Sequence, residues 1–114
     1  MADGYFITSN DQEQVEMWSK VHRRTMATTD EAMLCEFLLE AGAVVPPHQH
    51  MNDQVGYVVF GQIEMTIGDV TRICNPGDSY AIPGGIIHGA QAIVDSVVID
   101  AFSPPRNDYR TEAR

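Results

Sequence analysis

The chain predicts an all-β, antiparallel sandwich or barrel, and three observations carry that prediction. Turn-forming residues recur at short intervals: Gly42, Pro46-Pro47, Gly56, Gly61, Gly68-Asp69, Asn75-Pro76-Gly77-Asp78 and Pro83-Gly84-Gly85. The pieces between them have strand length. Helix signals are weak: only Asn10 to Lys20 offers a short helical turn, with Asn10 as its cap and Glu13 three positions on. Many short strands at regular spacing fit an antiparallel stack, not alternating α/β units.

Strands are expected near 21–28, 32–40, 48–52, 55–60, 62–67, 70–74, 79–82, 86–93 and 96–102. The third begins at His48 on this reading, because Pro46-Pro47 cannot donate ladder hydrogen bonds. Gly61-Gln62 and Gly68-Asp69 read as hairpin turns, where glycine supplies positive φ at little cost. The polar, proline-broken stretch from Ser103 to Arg114 is expected to lie across the surface or fray.

At 114 residues the chain is sized for one domain over 1–114, able to bury a core without disulfides. A net charge of −9 argues against nucleic acid, which selects a basic face. No apolar run reaches membrane-spanning length and no signal-like segment opens the chain, so no membrane partner is expected and the default location is the cytoplasm. Cys35 and Cys74 are too few for a disulfide framework and read as buried, reduced thiols, Cys35 among Met33, Phe37 and Leu39. The internal methionines read as fillers of core gaps, and His22, beside Arg23 and Arg24, as a surface residue.

Three of the four histidines fall in one framework: Gly42, His48-Gln49-His50, Gln54 and Gly61, then Gly77, Pro83-Gly84-Gly85 and His88. On a strand, His48 and His50 would project from one face, and Gln54, an even step on, would return to it. The turn at 83–85 would deliver His88 from a neighbouring strand. Any one of these residues alone reads as an ordinary hydrogen-bonded side chain; together they point to one divalent metal ion. Zinc, nickel, iron, manganese and copper all accept imidazole, so its identity stays open. Three neutral imidazoles and a neutral amide leave the ion's charge uncompensated, which favours Lewis-acid chemistry.

These segments resemble the paired motifs of the cupin superfamily, motif 1 at 42–61 and motif 2 at 77–92. The resemblance implies a single-domain RmlC-like jelly-roll barrel. It departs in two places, with Gln54 where glutamate is usual and Ala92 where asparagine often stands. The ending Asp100-Ala101-Phe102-Ser103-Pro104-Pro105-Arg106 is similar to that of cupins that open unsaturated uronates in pectin degradation. It implies Asp100, Phe102 and Arg106 as active-site residues and a small anionic, sugar-like substrate. Asp100 shares a strand face with Val98 and Phe102, so an inward face would make it a desolvated carboxyl able to move protons. Arg106 would clamp a carboxylate. The surface alternatives are an outward Asp100 and an Arg106 paired with Asp108. Competing functions are an oxygen-dependent cupin dioxygenase and a non-catalytic sugar-binding cupin. Cupins commonly pair through a sheet, and the two apolar faces of 96–102 lead us to expect a homodimer.

Overall fold

Ten strands stack as two antiparallel sheets in the computed structural model, which describes residues 2–110. The last four residues of the expected surface tail, 111–114, lie outside them. The strands are β1 (Val15–Trp18), β2 (Val21–Thr28), β3 (Met33–Leu39), β4 (Val44–His48), β5 (Asp53–Phe60), β6 (Ile63–Ile67), β7 (Val70–Cys74), β8 (Ser79–Ile82), β9 (His88–Ala92) and β10 (Ser96–Ser103). One sheet has the order β1-β2-β3-β10-β5-β8, the other β4-β9-β6-β7. The arrangement is a jelly roll whose two sheets face each other without closing into one continuous barrel. Among the described residues, no helix is long and apolar enough to cross a membrane.

Strict alternation builds the interior. In β10, Ser96, Val98, Asp100 and Phe102 are buried while Val97, Ile99 and Ala101 are partly exposed. Met33, Cys35, Phe37 and Leu39 of β3 and Ile63 and Met65 of β6 fill the space between the sheets. Each such large side chain contributes about 1.5–3 kcal/mol on burial. Cys35 and Cys74 are both free and buried, and desolvation pushes the Cys35 thiol up to about 12.

Four local expectations are corrected. Residues 10–20 form no α-helix: a short 3-10 turn covers Ser9–Asp11, and Val15–Trp18 is a strand that pairs with β2. Those four residues are too few to announce themselves, and tertiary pairing decides their state. The strand expected at 48–52 instead runs Val44–His48 and includes both prolines. It is an edge strand, and its register with β9 shifts between Val45 and His48, where missing N–H groups cost no ladder bond. Gly61-Gln62 carries the chain from one sheet to the other instead of closing a hairpin, whereas Gly68-Asp69 does close the β6–β7 hairpin. Gly56 is not a break but lies within β5, opposite both Asp100 and Tyr80. A Cβ there would collide with the Asp100 carboxyl and the Tyr80 ring.

Candidate metal centre and catalytic cavity

β4 ends at His48, β9 begins at His88 and Gln54 is the second residue of β5, so all three lie at one end of the stack. His50 comes from the loop between β4 and β5, not from a continuous strand. The 83–85 turn packs on that loop: Gly85 N–H donates to the His50 carbonyl at 2.8 Å, and Gly84 N–H to Asp53 Oδ1 at 2.8 Å. The two sequence motifs are thereby stitched together. Beneath them lies a cavity open to solvent, whose walls include His48, Gln54, His88, Asp100, Phe102 and Arg106.

Each histidine ring is fixed by a carbonyl two residues away. Nδ1 lies 2.9 Å from the Pro46 oxygen in His48, 3.1 Å from the Asn52 oxygen in His50 and 2.8 Å from the Ile86 oxygen in His88. Carbonyls only accept, so Nδ1 donates in each ring and Nε2 is the nitrogen left to face the cluster. The potential ligand nitrogens all lie within 4.8 Å of one another. Gln54 Oε1 sits 3.0 Å from His50 Nε2 and adds an oxygen to the same cluster. His88 Nε2 is buried with no hydrogen-bond partner among the described residues. An orphaned buried acceptor is costly unless something else takes its lone pair. Burial pushes His88 down to about 4, and burial followed by the Arg106 charge lowers His50, so both rings stay neutral at pH 7. Three convergent imidazole nitrogens and an amide oxygen fit a divalent cation, and held there it would act as a Lewis acid.

Asp100 is inward, 4% exposed, and settles the orientation the sequence left open. Tyr80 Oη donates to its Oδ1 at 2.6 Å. Burial raises its carboxyl to about 6, against the pull of the Tyr80 and Gln54 hydrogen bonds. The same burial, reinforced by the Asp100 charge, keeps the Tyr80 phenol protonated as donor. Phe102 is fully buried with its ring edge-on to His50, centroids 5.8 Å apart.

Arg106 lines the cavity yet also makes the surface pair that sequence had offered as its alternative. Its Nε and Nη2 meet the two Asp108 oxygens at 3.3 and 3.1 Å. The remaining amino group, Nη1, is left free of Asp108.

Several contributors were not foreseen. Tyr80 positions Asp100. Trp18 packs on His48, rings 5.7 Å apart. The Asn52 side-chain amide donates to the Pro104 and Pro105 carbonyls at 2.6 and 3.2 Å, tying the His50 loop to the Arg106 segment. Arg23 points inward, so the apparent basic patch is divided; His22 does face outward, where it meets Glu40 at 3.0 Å. Alternation along β2 and β8 was the available signal for Arg23 and Tyr80; Asn52 had none.

A two-sheet jelly roll with three histidines converging at its mouth defines a cupin, and residues 35–100 match the cupin domain family. The chain belongs to that family. It is 33% identical over 107 residues to the pectin degradation protein KdgF of Dickeya dadantii (strain 3937), covering 92% of this chain and 96% of that protein. Among solved structures it is similar to KdgF from Halomonas sp., with a TM-score of 0.87 and 36% identity over 92% of this chain and 97% of that one. An RmlC-like cupin from Shewanella frigidimarina NCIMB 400 superposes with a TM-score of 0.89 at 28% identity, covering 93% and 96% of the two chains.

Proposed function

We propose that this cupin is a metal-dependent enzyme that opens the ring of an unsaturated uronate, or isomerises a closely related carboxylated sugar. One observation carries the reading: a buried carboxyl raised to about 6 shares a cavity with a cluster of metal-type donors, in a homologue of KdgF. In this reading His48, His50, Gln54 and His88 hold the metal. When bound, the metal supplies a positive centre that polarises a substrate oxygen.

The protein's own groups handle the protons. Asp100, as carboxylate, accepts the proton of the hemiacetal hydroxyl. The carbon–oxygen bond that closes the ring breaks, leaving an aldehyde and an enolate. The enolate becomes a ketone as the proton held by Asp100 is delivered to the neighbouring alkene carbon, and no oxidant or reductant is needed. A carboxyl titrating near 6 suits both halves of such a relay. Tyr80 holds Asp100 in place. Phe102 walls the pocket against water, and Arg106 meets the substrate carboxylate through Nη1. The direct test is loss of the enol-ether absorbance of unsaturated galacturonate. Turnover by the wild type that vanishes in Asp100→Asn supports the assignment, and an unchanged rate in that variant removes Asp100 from the mechanism.

Self-association belongs to the same reading. Val55, Tyr57, Val59 and Phe60 stand exposed on the outer face of β5, Phe60 at 60%, beside Val97, Ile99 and Ala101 of β10. This contiguous apolar area in a six-stranded sheet suits a second copy of the chain. Sedimentation equilibrium should report a dimer that Tyr57→Lys converts to monomer; a monomeric wild type sinks the idea.

A further inference from the structure

Arg23 is an unusual interior residue. It is 6% exposed on the inner face of β2, between Val21 and Thr25. No carboxylate among the described residues lies within ion-pair distance of it. Its polar partners are neutral: Nε donates to Thr25 Oγ1 at 3.1 Å, and Nη1 approaches Met17 Sδ at 3.1 Å. A buried guanidinium without a counter-ion needs another means of offsetting its lost hydration.

That means is an aromatic ring. Arg23 Cζ lies 4.3 Å from the centroid of Tyr109, and Arg106 Cζ lies at the same 4.3 Å. Both guanidinium groups therefore draw on the π-system of one ring. Tyr109 is itself pinned, its carbonyl accepting from Thr25 Oγ1 at 2.6 Å and its ring edge-on to Phe102 at 5.7 Å. Arg23, Thr25 and Tyr109 thus form a closed unit, and Arg106 rests against it on the cavity side. Asp108 compensates one of the two positive charges; among the described residues no carboxylate pairs with the other.

We infer that Arg23 is a positioning residue for recognition of an anionic substrate: through Tyr109 it fixes the Arg106 guanidinium at the cavity wall and places a second positive charge behind it. The inference rests on the cavity receiving a carboxylated sugar. It adds that selection for the carboxylate depends on a residue that the carboxylate never touches.

The test compares galacturonate with galactose, which differ in that carboxylate, by calorimetric titration of the metal-replete protein. Wild type is expected to prefer galacturonate. Arg23→Met and Tyr109→Leu should each reduce that preference roughly tenfold, the scale of a desolvated cation–π contact. Tyr109→Phe keeps the ring and should keep the preference. A merely structural defect weakens both sugars alike and leaves the ratio unmoved. Wild-type preference in Arg23→Met and Tyr109→Leu overturns the inference, as does a wild type indifferent to the carboxylate. Should Arg23→Met not fold, Arg23→Gln decides: it keeps a donor for Thr25 but loses both the charge and the planar stack, so an unreduced ratio overturns the inference. Absence of uronate turnover in a wild type that still prefers galacturonate refutes the proposed reaction and leaves Arg23's role standing.

Discussion

The two ends of the cavity are built on opposite principles. At one end three imidazoles converge, each held by a carbonyl two residues away in sequence. At the other, two cations are stacked on Tyr109, with Arg23 and Arg106 brought together from β2 and the C-terminal segment. The first end needs little beyond its own two loops to hold its shape. The second exists only once distant strands have packed. Local support makes a rigid donor set, and long-range support makes a charged wall that depends on the whole fold.

Breaking the first end should have the largest effect. His88→Ala removes the buried ring nitrogen that has no hydrogen-bond partner among the described residues, and metal affinity is expected to fall by more than about a hundredfold, beyond the range typical of losing an outer-shell contact. Competition with a chromophoric chelator measures it. Asp100→Asn should leave metal content intact and lower kcat by roughly 10²–10⁴, the usual contribution of a positioned acid–base group. Gly56→Ala forces a methyl into the Tyr80–Asp100 contact and should cost about 1–3 kcal/mol in chemical denaturation.

A milder substitution separates the two ends. Asn52 touches both, holding His50 through its backbone carbonyl and the Pro104–Pro105 segment through its side chain. Asn52→Ala keeps the carbonyl, so metal content should be unchanged while KM for the uronate rises several-fold. Loss of metal in that variant would mean that the two ends are not separable.

The smallest effect concerns the core beneath both. Cys35 has its thiol raised to about 12, above the usual 9.0. Its neutral form is therefore favoured by folding: that stabilisation is complete below pH 9 and is lost as pH climbs toward 12. Native protein at pH 8 should resist thiol reagents that modify the unfolded chain at both cysteines.

The same contrast explains what was legible in the sequence. His48, His50, Gln54 and His88 could be read because spacing and turn residues encode local geometry, although the strand assumed beneath them was displaced and His50 proved to sit in a loop. Asp100 could be read from alternation with Val98 and Phe102, but its direction was ambiguous while Val97, Ile99 and Ala101 were equally apolar. The structure resolves it by packing β10 between β3 and β5 with Phe102 inside. Arg23 was masked: alternation with Val21 and Thr25 pointed inward, but beside His22 and Arg24 it resembles a solvated basic patch, and only the Tyr109 ring, 86 positions later, makes an inward arginine tolerable. Asn52 was invisible for a similar reason, since its partners lie in the Pro104–Pro105 segment.

The most direct test of the central claim is elemental analysis of wild-type protein purified without added metal, set beside His50→Ala. The account predicts close to one divalent metal per chain in the wild type and less than about a tenth of that in the variant. Equal metal content in the two proteins, or a folded and active wild type free of metal, would contradict it.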